Sequence, residues 1–134
     1  MEKMKKALKI LATIIVLTLV VLFSLSYSIF NGACQNQVFN AYYSPDKSMR
    51  AIVFQRDCGA TTGFSTQISI LNSDEELDNE GGNIFIIKGH PSDVAPEIVW
   101  TGNQSITIHH RINGNEFKAK NQFGWLNPVK VTYD

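Results

Sequence analysis

Residues 58–66 read Cys-Gly-Ala-Thr-Thr-Gly-Phe-Ser-Thr and form the best candidate site for chemistry in the chain. Thr61, Thr62, Ser65 and Thr66 offer hydroxyl donors and acceptors, and Phe64 adds an aromatic surface. Gly59 and Gly63 permit backbone angles closed to other residues. A loop of this kind on a rigid sheet suits binding, so Thr61, Thr62, Phe64, Ser65 and Thr66 are the candidate binding residues. The same hydroxyls also suit a structural loop that satisfies its own backbone, and both readings stay open. Catalysis is not indicated. A nucleophile elbow needs glycine two positions after the serine, and Gln67 stands there after Ser65. No motif ties Ser65 to His90, His109 or His110. His109 and His110 are neighbours on an expected strand, so they point to opposite faces and cannot share a metal. The chain carries no phosphate loop, zinc spacing or paired-carboxylate motif. The expectation is a protein that is not an enzyme, with no cofactor and no metal.

The two cysteines, Cys34 and Cys58, both follow a long apolar run. On the outer side of a membrane they would meet oxidising conditions, where a single Cys34–Cys58 disulfide is the simplest outcome. Such a bridge would tie the first strand to the next. Small residues before Cys34 also resemble the end of a lipoprotein signal, although Asn31 occupies the position usually held by an aliphatic residue. Lipidation and the bridge exclude each other.

The elements that would carry this loop begin with the apolar run itself. Residues 10–30 are uncharged and mostly apolar, behind Lys3, Lys5, Lys6 and Lys9. At about 1.5 Å per residue, such a helix spans roughly the 30 Å of a bilayer core. Ser24, Ser26 and Ser28 interrupt its second half, and each hydroxyl can bond a carbonyl one turn back. The basic flank places the N-terminus inside. The expected organisation is a cytoplasmic basic tail (1–9), a transmembrane signal anchor (10–30) in the inner, cytoplasmic membrane, and an extracytoplasmic domain (31–134). A cleaved signal peptide is the alternative. The membrane lipid bilayer is thus one expected partner.

Charge divides at the same place. The chain is neutral overall, with +3 before residue 31 and therefore −3 after it. Asp74, Glu75, Glu76, Asp78 and Glu80 form a local acidic cluster that reads as a solvated loop. A mildly acidic domain lacks the basic surface that nucleic acid requires, so no nucleic-acid partner is expected.

After residue 31, short runs of Val, Ile, Phe, Tyr and Thr alternate with Gly, Asn, Pro and Asp clusters, the pattern of antiparallel β structure. Strands are expected over 38–43, 49–56, 66–71, 83–88, 97–100, 105–112, 116–120 and 129–133. Ser44-Pro45-Asp46-Lys47 reads as a turn, with Pro45 fixing φ. Asn113-Gly114 supplies the positive φ of a tight hairpin, which would set Arg111 opposite Glu116, His110 opposite Phe117 and Ile108 opposite Ala119. Phe54, Phe85, Trp100, Phe117 and Trp125 are the expected large core fillers. The fold class is all-β: a single small antiparallel β-meander or sandwich-like domain after one N-terminal transmembrane helix.

Two resemblances bear on this. Ser44-Pro45-Asp46-Lys47 before Ala51-Ile52-Val53-Phe54, and Ile98-Val99-Trp100 before Ser105-Ile106-Thr107-Ile108, resemble phrases of TolB-type propeller blades, which implies a shared β-meander. The stretch Arg56–Gln67, with the SPD-type turn before it and Gly82-Asn83-Ile84-Phe85-Ile86 after it, resembles a group of small uncharacterised membrane-anchored bacterial envelope proteins. That likeness spans most of 34–134 and implies the same architecture. The function expected is a membrane-anchored domain that binds an envelope protein or other envelope component, an immunity-type role being one version. A structural or assembly subunit, or a lipoprotein or secreted domain, is the alternative.

Overall fold

The structure is a computed structural model that describes residues 1–32, 34–59 and 61–134. The chain forms two compact units, Met1–Ala33 and Cys34–Asp134. The first is one helix, α1 (Glu2–Gly32), long and apolar enough to cross a membrane. It begins earlier than the expected 10–30 segment, because the basic stretch is helical too. Lys, Met, Ala and Leu are strong helix formers, and Glu2 pairs with Lys6 one turn on at 3.2 Å. Inside the apolar run, Ser24, Ser26 and Ser28 donate to the carbonyls of Val20, Leu22 and Ser24 at 2.8–3.0 Å, so each of these serine hydroxyls is satisfied within the helix.

The second unit is mostly β. Its elements are β1 (Gln35–Tyr43), β2 (Met49–Asp57), β3 (Phe64–Asn72), β4 (Phe85–Lys88), α2 (Pro91–Val94), β5 (Glu97–Gly102), β6 (Ser105–His109), β7 (Glu116–Ala119), β8 (Gln122–Phe123) and β9 (Val129–Tyr133). One sheet has the order β1-β2-β3-β4-β7 and the other β5-β6-β9-β8. Both contribute to one core. Ala51, Val53, Ile68, Ile70, Ile84 and Phe85 come from the first sheet and its approach; Ile98, Ile106, Ile108, Val129 and Val131 come from the second. Their alternation along each strand is the period-2 pattern that turns one face inward.

The expected Ser105–Lys120 hairpin does not form. β6 pairs with β5 and, in parallel, with β9, while β7 pairs with β4 in the other sheet. The edge of β6 that a hairpin would have used is therefore taken by β9. Residues 110–115 instead carry the chain from one sheet to the other. Gly114 does adopt a positive φ of 89°, but the turn is closed by Glu116, whose carboxylate accepts from the Asn113 and Gly114 amides at 3.2 and 3.0 Å. The parallel β6–β9 pair also departs from a purely antiparallel meander; such a pair needs a long crossover, which residues 110–128 provide.

Two expected core fillers are likewise on the outside. Phe54 and Phe85 are fully buried and Trp100 packs against the core, but Phe117 and Trp125 are exposed. Phe117 is the extra residue of a bulge on β7, since Ile86 pairs with Lys118 and Ile87 with Glu116. Phe39 occupies the same kind of position on β1, between Val38↔Phe54 and Asn40↔Val53. Each bulge sits on an edge strand of the first sheet, where it interrupts the open ladder.

The acidic side chains Asp74, Glu75, Glu76, Asp78 and Glu80 are exposed to solvent as expected, but the backbone that carries them is tied down. Residues 73–83 fold back over the face of the first sheet that does not meet the second. Asn36 Nδ2 donates to the carbonyls of Asp78 and Glu80 at 2.9 and 2.7 Å, and Asn79 Nδ2 to that of Cys34 at 2.7 Å. Gly82 N donates to Gln67 Oε1. Asn83 then bonds both the amide and the carbonyl of Ile70 at 2.9 and 2.8 Å, standing in for a ladder step, so β4 starts at Phe85 rather than Asn83. A Cβ on Gly82 would lie 2.9 Å from Phe85 O and 3.0 Å from Ile68 O and Gln67 Cβ. Gly82→Ala should therefore lower the urea midpoint, by an amount worth about 1–3 kcal/mol. An unchanged midpoint would mean the strap relaxes freely.

Candidate functional site

The Cys34 and Cys58 sulfurs form the expected disulfide across a separation of 24 residues. The bridge joins the entrance of β1 to the exit of β2, so the same Cys34 sulfur cannot carry a lipid. Beyond it the β2–β3 loop is braced by its own groups. Asp57 accepts from Gly59 N at 2.9 Å, and Thr62 donates from both its amide and its hydroxyl to Gly59 O at 3.3 Å. Gly59 (φ 100°) and Gly63 (φ 68°) supply the two left-handed steps.

Of the candidate residues, Thr61 and Thr62 are exposed, Phe64 is 46% exposed and Ser65 is half-buried. Ser65 Oγ accepts from Gln67 Nε2 at 2.8 Å. Thr66 is a correction to the expected surface: it is fully buried, and its hydroxyl donates to Gly89 O at 3.0 Å. Ala60 of the same loop, and Ala33 before Cys34, lie outside the described residues.

Thr62, Phe64 and Ser65 border an open depression of about 350 Å³, whose lining also includes Arg56, Ile86, Lys88 and Phe117. The pairing explains the assembly. Arg56 stands opposite Ser65 in β3, and Ser65 opposite Lys88 in β4, so one row crosses three strands with a cation at each end. These four extra residues were missed from sequence because each was read only within its own strand. The register among the expected strands was the signal that could have joined them.

The two cations differ. The Arg56 guanidinium donates to Asn36 Oδ1 at 2.7 Å and Asn79 Oδ1 at 3.3 Å, and burial pulls its pKa down against the opposing charge of Glu80. It remains charged, as guanidinium does in proteins. Lys88 is exposed and has no ion-pair partner among the described residues. Phe64 is held edge-on to His90, centroids 5.8 Å apart. His90 in turn caps α2, accepting from Ser92 N at 3.2 Å ahead of Pro91 at the first helical position.

Among the described residues no histidine hydrogen-bonds a hydroxyl of the loop. Each histidine is engaged elsewhere: His90 on Ser92, His109 with Asp134 at 2.6 Å, and His110 with Glu116 at 2.6 Å. Among the described residues no group of three or more His, Cys, Asp or Glu side chains is placed to hold a metal.

The His110–Glu116 pair closes the crossover between the sheets. Its side chains are only 17% and 3% exposed, and His110 packs its ring on Phe85 at 5.0 Å. The hydrogen bond from His110, aided by the Asn113 and Gly114 amides, holds the Glu116 carboxyl down to about 2 from an ordinary 4.5. A depressed carboxyl stabilises the fold above its unfolded value and ceases to do so as pH falls from about 4.5 towards 2. Acid titration of the full chain should show a loss of stability in that window, and Glu116→Gln should flatten it. Equal acid sensitivity in the two proteins would assign the loss to other carboxylates. Tyr133, pushed up to about 12 by burial and by the Glu116 charge, works at the other end of the scale.

No protein-family model, curated protein or solved structure matches the chain, so its site stands on its own geometry.

Proposed function

We propose that this is a single-pass bacterial envelope protein, anchored by α1 in the inner membrane with its N-terminus in the cytoplasm. Its β unit, with the two sheets stacked as a sandwich, lies outside and binds an envelope protein or other envelope component without catalysis. The resemblance to small membrane-anchored envelope proteins fits this reading. The observation that carries it is the depression beside the disulfide, where Phe64, Phe117 and Ile86 meet an uncompensated Lys88. Exposed aromatic area beside an unpaired cation is costly to leave in water and is the raw material of a binding hot spot.

The test uses the full chain in its own membrane, with a photo-crosslinking side chain replacing Phe117. A discrete adduct is expected, weakened at least tenfold by Lys88→Glu or Phe64→Ser. No adduct above that of a crosslinker placed at Glu97, exposed on the other sheet, would refute the assignment. A reporter fused after Asp134 tests the orientation separately, and activity confined to the cytoplasm would overturn it.

A further inference from the structure

We infer that the β8–β9 loop, residues 124–128, is a saccharide-binding platform, taking a neutral or N-acetylated glycan at the end of the β unit away from the disulfide. The inference is independent of the depression and of membrane anchoring.

Position comes from the pairing. Gln35 pairs with Asp57 at the disulfide end of the first sheet, and Tyr43 with Arg50 at the other end. Asp46 N, in the turn beyond Tyr43, donates to Asn103 Oδ1 in the β5–β6 turn at 3.1 Å. Gln104 O next accepts from Lys130 N at 2.9 Å, at the start of β9. The β8–β9 loop, which ends just before β9, therefore belongs to the end of the β unit opposite Cys34.

The chemistry comes from what the loop leaves open. Trp125 is 85% exposed and Leu126 75%, the former being the most exposed large apolar side chain of the β unit. Gly124, with φ 81°, makes the reversal that leads into them. Gln104, Gln122 and Asn127 are exposed around the loop, and their side chains have no hydrogen-bond partner among the described residues. Residues 121–130 contain no Asp or Glu and one cation, Lys130.

An indole face carries negative quadrupole density and favours contact with polarised C–H groups. A pyranose ring presents one such face. Its hydroxyl and acetamido groups each need a donor and an acceptor, which an amide side chain supplies together. An aromatic plate in a loop without carboxylates, with free amides on the loop and on the segments that flank it, matches that ligand class better than a charged one. It equally disfavours a strongly acidic or basic peptide, for which the loop itself offers no charge.

The experiment follows tryptophan emission of the full chain in nanodiscs during titration with chitohexaose, cellohexaose and maltohexaose. Trp100 gives a constant background, its indole N–H being held by Tyr42 O at 2.8 Å. A saturable change with at least one sugar is expected, lost in Trp125→Ala and weakened severalfold in Asn127→Ala. Circular dichroism of the two variants should match the parent, since both positions are exposed. No saturable change with any of the three up to about 10 mM, where binding is too weak to matter, would overturn the proposal. So would a response that survives Trp125→Ala. A Trp125-dependent crosslink to a protein without any sugar response would also overturn it and assign the loop to protein docking.

Discussion

Phe85→Ala should lower the unfolding free energy by about 3–5 kcal/mol, the largest effect expected of any single substitution in the β unit. Phe85 is fully buried in β4, and its ring touches elements of both sheets: His110 on the crossover at 5.0 Å and Tyr133 of β9 at 6.0 Å. Truncation removes the transfer energy of the ring and leaves a hole that neither sheet can fill alone. The loss should also reach the His110–Glu116 pair, because the imidazole would lose the surface that fixes its plane. Urea unfolding followed by Trp100 emission measures the first effect, and the flattened acid response of the variant measures the second. A loss below about 1 kcal/mol would mean that the two sheets close over the gap, contrary to the usual stiffness of close-packed interiors.

The paired change Cys34→Ser with Cys58→Ser should cost about 3–4 kcal/mol in the chain-entropy picture for a loop of this length. Its effect should be uneven. The β2–β3 loop takes its start from Cys58 and its bracing from Asp57 and Gly59, so hydrogen exchange should rise first over residues 59–64 and at the entrance to β1. The interior of β3 should stay protected, since Ile68 and Ile70 are buried between neighbouring strands. Uniform exchange across the β unit would show instead that the bridge acts only through the unfolded chain. Full stability after the double replacement would remove the bridge from the list of features that hold this fold.

Much of the fold was legible because local patterns and burial agree. Alternation in Val129–Tyr133, the Pro45 turn and the pairing of the two cysteines were all readable locally, whereas the alternation of Thr66–Leu71 predicted a half-buried strand and Gln67 and Ser69 are buried as well. The hairpin at Asn113-Gly114 failed for a different reason. The turn signal is real and the glycine does take positive φ, but competition for the free edge of β6 is decided by β9, some 20 residues later. Face patterns alone could not reveal that. Phe117 and Trp125 misled in the same way: large aromatics normally fill cores, and only the bulge and the loop show them turned outward. The short helix α2 did leave a signal in His90-Pro91-Ser92-Asp93, a cap, a proline at the first position and an early acid. For the site, the loop was visible as a cluster in sequence, whereas its cations came from neighbouring strands and needed the register. Thr66 was lost from the surface because strand alternation turned it inward.

The place of β9 has a consequence for the order of events during synthesis. It lies between β6 and β8 although it is made after both. Until Val129–Tyr133 reaches the compartment where the β unit folds, the first sheet can already zip up, but β6 has no neighbour on one side. The second half of the molecule must wait, apolar and unfinished, until Tyr133 emerges. A chaperone in the compartment where the β unit folds would find its best target in that interval, and a stop codon a handful of positions early would leave it open for good.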